Sequence, residues 1–176
     1  VLKLFPKPRA RETAFLGVPS PQAALAVLDL AQARAGGTIT GFEFMPRIGL
    51  EFVLRHAPGS RDPLGRPHAW YVLMELSSVA GGALRATLEE VLAAGFEDGL
   101  IEDAAIADSL QQATAFWRLR EQLAEVQRHE GGSIKHDVSV PVNVVPALIA
   151  RGSAAAEKLI PGCRPVPFGH LGDGNV

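Results

Sequence analysis

Trp70-Tyr71-Val72-Leu73-Met74-Glu75-Leu76 is the strongest strand signal in the chain, apolar at every position but one. A strand this apolar has no face left for water, which places it at the centre of a sheet. On its N-terminal side, Ala57 to His68 (APGSRDPLGRPH) is a loop by composition. Before that loop, a short helix after Pro46 carries Ile48, Phe52 and Val53. Thr38 to Met45 alternates poorly, but its Thr, Ile and Phe favour a strand. Ser20-Pro21 supplies an N-cap and a proline at the first helical position, and Gly36-Gly37 ends that helix. Its apolar face is Ala24, Leu25, Leu28 and Ala31, and Glu12 to Val18 precedes it as a strand. On the C-terminal side, Leu84 to Ala94 is a helix closed by Gly95, and Leu100 to Ile106 reads as a strand. The alternation predicts an α+β domain, a mostly antiparallel sheet with helices on one side.

The 176 residues fit one domain, long enough to bury a core. With 47% hydrophobic and 20% charged residues, the composition is that of an ordinary folded chain. A net charge of −2 leaves no electrostatic footprint for nucleic acid. The single cysteine, Cys163, excludes a disulfide framework and a cysteine-based zinc site. It reads as a small buried residue at a strand start, and it fits a reducing, cytoplasmic compartment. No stretch is long and apolar enough for a membrane span, although peripheral membrane association stays open. Residues 1–11 are rich in Pro, Lys and Arg and read as a linker from an upstream domain, with the domain proper at 12–176. A start at Val1 and an end inside a motif read as a piece of something longer.

Ser109-Leu110-Gln111-Gln112 fits a capping box that opens a helix to about Arg128. Leu110, Ala113, Phe116, Trp117, Leu119, Leu123 and Val126 form its apolar face, and Arg120 falls near the middle. An arginine there requires an anion, because an unpaired buried charge costs several kcal/mol. Either an internal salt bridge or a bound carboxylate satisfies it. Arg118 points away into solvent. Next, Ser133 to Pro141 reads as a strand, with Lys135, Asp137 and Ser139 on one face. Ile134, His136, Val138 and Val140 make up its apolar face. Asn143 then caps a helix to about Ile160 whose inner face is Val144, Leu148 and Ile149. Arg164 to Phe168 is a final strand.

That strand delivers Gly169-His170-Leu171-Gly172-Asp173-Gly174-Asn175-Val176. Glycines permit close backbone approach and positive φ, while His170 and Asp173 are metal-binding or proton-moving types. A Gly-Asp-Gly turn with an incidental histidine is the plainer reading. The glycines fall as G-x-x-G-x-G and not in the dinucleotide-binding order.

The GHLGDGN stretch, Trp117-Arg118-Leu119-Arg120-Glu121 and Lys135-His136-Asp137-Val138-Ser139-Val140-Pro141 together resemble the FAD-linked D-2-hydroxyacid dehydrogenase family. The resemblance implies the family's C-terminal substrate-binding (cap) domain, with ferredoxin-like elements. It implies oxidation of a D-lactate-like D-2-hydroxy acid to the 2-oxo acid, with hydride transfer to FAD. Arg120 and Lys135 match the residues that bind the hydroxyacid carboxylate, and His170 matches the first histidine ligand of a divalent metal, zinc in related enzymes. The catalytic base and the other metal ligands are expected beyond Val176, so no catalytic residue is assigned within the chain. FAD is expected mainly on an upstream domain, a separate partner would take the electrons, and a homodimer stays open. In the 2-hydroxyglutarate branch a threonine follows the arginine by one helical turn; Ala124 stands there, which argues against that dicarboxylate. A non-catalytic ligand-binding or assembly module of the same fold is the alternative. A self-sufficient metallohydrolase fits poorly, with one histidine and one aspartate for ligands.

Overall fold

A computed structural model describes residues 6–176. Of the expected linker, residues 1–5 lie outside the described residues, and Ala10 and Arg11 already belong to the first strand. The order is β1 (Ala10–Val18), α1 (Pro21–Ala35), β2 (Ile39–Pro46), α2 (Arg47–His56), β3 (Trp70–Ser78), α3 (Leu84–Glu97) and β4 (Asp103–Ile106). It continues with α4 (Leu110–Glu121), α5 (Leu123–Val126), α6 (Val145–Leu159) and β5 (Gly169–His170). The sheet runs β4-β1-β3-β2-β5, and every pairing is antiparallel. β3 is the central strand, as its apolar run requires. Without α2, the first seven elements trace the β-α-β-β-α-β path of ferredoxin-like folds.

Helices cover both faces of the sheet, not one. Ala14, Leu16, Phe42, Phe44, Val72 and Met74 pack against α1, α3 and α6. The alternate residues Phe15, Met45, Tyr71 and Leu73 pack against α2, α4 and α5. Two covered faces explain why β2 and β3 alternate so poorly in sequence. The inserted α2, placed by Pro46 between β2 and β3, supplies Leu50, Phe52 and Val53 to the second core. The following loop is tied down at both ends. Arg47 donates to Asp62 and to the Tyr71 hydroxyl at 2.9 and 2.6 Å. The buried His68 ring lies so close to Gly17 that a Cβ there would overlap it.

Helix ends follow the sequence where a capping side chain is present. Ser20 accepts from Ala23 N at 3.1 Å and Ser109 from Gln112 N at 3.2 Å. Gln112 Oε1 reaches the amide of Asp108, one residue before the cap. The helix expected to run to Arg128 instead breaks at Gln122 and ends in a 3-10 turn, Gln127–Glu130. Leu110 is 82% exposed, so the buried face starts nearly two turns later than expected, at Phe116. Asn143 sits in a 3-10 turn and caps nothing; α6 begins at Val145 and buries Val145, Pro146 and Ile149, while Val144 stays exposed.

Three expected strands shrink for identifiable reasons. Leu100 and Ile101 turn back onto Gly95, which leaves only Asp103–Ile106 in the sheet. Ser133 to Pro141 is extended but has no sheet beneath it. Its partners are the last residues of the chain, through Val138 N to Val176 O at 3.0 Å and Val140 N to Gly174 O at 3.1 Å. Of its expected apolar face only Val140 packs on the core, while Ile134, His136 and Val138 are exposed. In the segment 164–168, Pro165 and Pro167 have no N–H to donate to a ladder, so β5 is only Gly169–His170. Cys163 is half-buried in the turn before it and starts no strand. Among the described residues no helix is long and apolar enough to cross a membrane.

Glu130 joins the end of the 127–130 turn to α2 and to the segment leading into β5. Arg164 Nη1 reaches Oε2 at 2.7 Å, and Arg55 and His56 both reach Oε1 at 2.6 Å. The Arg164 hydrogen bond, then those of His56 and Arg55, hold this carboxyl down to about 2 from an ordinary 4.5. A carboxyl depressed in the folded state stabilises the fold above its unfolded pKa. That contribution is lost as pH falls from about 4.5 through about 2. Glu130→Gln should lower Tm at neutral pH, and the gap to wild type should close across that window. Melting curves separated by a pH-independent gap would show that the carboxylate is not what holds the turn.

Candidate functional site

The site is built on Glu43, which the sequence reading passed over. Thr40-Gly41-Phe42-Glu43-Phe44-Met45 puts a lone carboxylate in an apolar strand next to the sheet centre. Its side chain is 5% exposed and faces α4. A carboxylate held there must find donors, or its burial costs several kcal/mol. It finds one on each oxygen. Arg120 Nε donates to Oε2 at 2.8 Å, and His170 Nδ1 lies 2.5 Å from Oε1. His170 is delivered by register, because β5 pairs with β2 and sets His170 opposite Glu43.

Arg120 is fixed on two sides. Besides the ion pair, the Phe168 ring lies 4.9 Å from its guanidinium carbon, within cation–π range. The helix that carries it is anchored by Trp117. The indole Nε1 donates to Glu75 on β3 at 2.9 Å, and the ring lies over Gly41, where a Cβ would come within 3.0 Å. The anion expected for Arg120 is thus internal, but it occupies only Nε. Nη1 and Nη2 make no hydrogen bond among the described residues, and this pair is the fork that suits a carboxylate.

Lys135 does not meet Arg120. It is exposed, and its ammonium donates to the carbonyl of Ala124, one helical turn further on, at 2.9 Å. The remainder of its motif meets the C-terminal one. Asn175 Nδ2 donates to Asp137 Oδ1 at 2.7 Å and to Ser139 Oγ at 3.1 Å. Asp173 accepts from Asn175 N at 3.0 Å, so it is a turn residue. Two glycines make this clasp possible. A Cβ on Gly169 would strike the Asn175 carbonyl, and one on Gly174 (φ +81°) would strike that of Val140.

A shallow cavity of about 330 Å³ opens beside Glu43, His170 and Asp173, between β2 and the end of α1. The His170 side chain is 56% exposed. As a metal ligand His170 is well prepared, since ligating histidines usually donate the other ring N–H to a carboxylate. One histidine is not a metal site, however, and no group of three or more His, Cys, Asp or Glu among the described residues could hold an ion. For a dinucleotide cofactor, the chain contains no Gly-x-Gly-x-x-Gly turn.

An arginine fork and an oriented imidazole on an antiparallel α+β domain are groups chemically suited to a small anion. Residues 7–176 match the family described as FAD linked oxidases, C-terminal domain. Mitochondrial D-2-hydroxyglutarate dehydrogenase of Arabidopsis thaliana is 31% identical over 173 residues, covering 97% of this chain and 30% of that protein. D-2-hydroxyglutarate dehydrogenase of Xanthomonas citri pv. viticola is 33% identical over 175 residues, 99% of this chain and 36% of that protein. A putative mitochondrial D-lactate dehydrogenase of Schizosaccharomyces pombe is 28% identical over 186 aligned positions, 97% of this chain and 34% of its own length. This chain belongs to the family of FAD-linked oxidase C-terminal domains, and it spans about a third of the length of these relatives.

Gly174→Ala should open the clasp, since a positive φ and a blocked carbonyl both oppose the methyl group. A loss on the order of 1–3 kcal/mol is expected. Gly132→Ala, with nothing within 4 Å and no positive φ, is the control. Thermal melts and limited proteolysis within residues 131–141 check this, and equal behaviour of the two variants would contradict it.

Proposed function

We propose that residues 10–176 form the substrate-binding domain of an FAD-dependent dehydrogenase for a small D-2-hydroxy acid, preceded by a linker from a flavin-binding domain. The observation that carries this reading is the Arg120 guanidinium, held through Nε while its Nη pair is unused on the same carboxylate that orients His170. The names of the relatives point to the same substrate class.

Arg120 Nη1 and Nη2 would grip the substrate carboxylate as a planar fork. Lys135 keeps donors beyond the one given to Ala124 and would turn its ammonium toward the same carboxylate. Fixing the carboxylate orients the α-carbon and its hydroxyl, and orientation of this kind contributes several kcal/mol to barrier reduction. Flavin, when bound, would accept the hydride from the α-carbon and pass the electrons to a separate acceptor. His170 would offer Nε2 to a divalent ion, zinc in the family's pattern, which when bound polarises the substrate hydroxyl. The base that takes the hydroxyl proton is placed outside this chain. Ala124 offers no hydroxyl for a second carboxylate, which favours a D-lactate-like acid over 2-hydroxyglutarate.

The second reading, a non-catalytic ligand-binding or assembly module, has one observation in its favour: Arg120 already has an internal anion. Kinetics of the full-length enzyme separate the two. Anaerobic flavin bleaching is expected with D- but not L-hydroxyacids. Arg120→Ala should lower kcat/KM by at least about 30-fold, equivalent to about 2 kcal/mol, and Lys135→Ala by less, mainly through KM. Unchanged efficiency in Arg120→Ala would refute its carboxylate role, and a full-length polypeptide that binds no flavin would favour the module.

A further inference from the structure

We infer that Glu43 is a positioning residue that sets the tautomer of His170 and the aim of Arg120 together. Its role toward a ligand rests on the function proposed above; its hold on the two side chains does not.

Arginine has no acceptor, so the Glu43 oxygen 2.8 Å from Arg120 Nε must accept. An ionised carboxylate has no proton to give, so the other oxygen must accept as well. The ring nitrogen 2.5 Å from it, His170 Nδ1, is then the one that carries hydrogen. In a neutral imidazole this leaves Nε2 with its lone pair unprotonated. The His170 side chain is 56% exposed, so this lone pair is available to a ligand, and the two unused Arg120 nitrogens belong to a guanidinium anchored on the same carboxylate. One buried side chain therefore fixes both an electron-pair donor and a hydrogen-bond fork.

Glu43→Gln keeps shape and reverses half of this. The amide oxygen must still face Arg120, so the amide NH₂ faces His170. Nδ1 becomes the acceptor, and the hydrogen moves to Nε2. Glu43→Asp stays acceptor-only on both sides while shortening the reach. A purely packing role would not separate these variants by tautomer.

The test is ¹⁵N NMR of the histidine rings of the protein, treated with a chelator and measured well above the usual imidazole pKa range. His170 is assigned by its loss in His170→Gln. Nδ1–H is expected in wild type and in Glu43→Asp, and Nε2–H in Glu43→Gln. A wild-type His170 in the Nε2–H form, or a Glu43→Gln ring unchanged from wild type, overturns the inference. In the full-length enzyme, Zn²⁺ affinity by chelator competition should fall roughly 10–100-fold in Glu43→Gln. Wild-type affinity and kcat despite a switched tautomer would overturn the role of Glu43 toward a ligand. If instead Arg120→Ala and His170→Ala both leave hydroxyacid oxidation intact while the tautomers follow expectation, the proposed roles of Arg120 and His170 toward substrate fail and the Glu43 assignment stands.

Discussion

A carboxylate between two covered sheet faces is the constraint around which this domain is arranged. β2 has α1 against one side and α4 against the other, so Glu43 cannot reach bulk water. Its charge is tolerable only while both oxygens are occupied. The two partners come from elements that meet only in the tertiary fold: an arginine on α4 and a histidine on the edge strand β5. Removing Arg120 would leave a buried carboxylate without its counter-charge, at a cost of the order of 3–5 kcal/mol for a broken buried pair. The same interaction that stabilises β2 therefore dictates where α4 sits against the sheet and where β5 docks.

Much of the fold was legible because local chemistry and tertiary role coincide. Ser20-Pro21 and Gly36 bracket α1 as their backbone preferences require. The apolar run of β3 announces its central place. The reading failed where the second face of the sheet decided the outcome. Poor alternation in Thr38 to Met45 was the sign that both sides of β2 are covered, and Glu43 was the one polar residue that two covered sides make expensive. Ser133 to Pro141 has the alternation of a strand, yet alternation describes side chains and says nothing of whether a neighbouring strand exists to accept the backbone bonds.

Residue type singled out Arg120 and His170 but not their shared partner. An arginine in an apolar stripe demands an anion, and nothing in the local sequence says that the anion lies 77 residues earlier. Lys135 illustrates the opposite limit. Its motif is recognisable, but its long side chain takes the nearest carbonyl and not the guanidinium's neighbourhood. Asp173, adjacent to so suggestive a histidine, is spent on a turn.

The separation along the chain also bears on how such a site comes into being. Glu43 joins Arg120 across 77 residues and His170 across 127, and β1 pairs with β3 while its neighbour in sequence, β2, lies on the far side of β3. At equilibrium these distances matter little: loop-closure entropy rises with the logarithm of length, about 0.6 kcal/mol for each doubling. In time they matter more, because folding rates fall as contacts become less local. The constellation on Glu43 is complete only when α4 and the final strand have both returned to β2, so the site rests on some of the least local contacts in the domain.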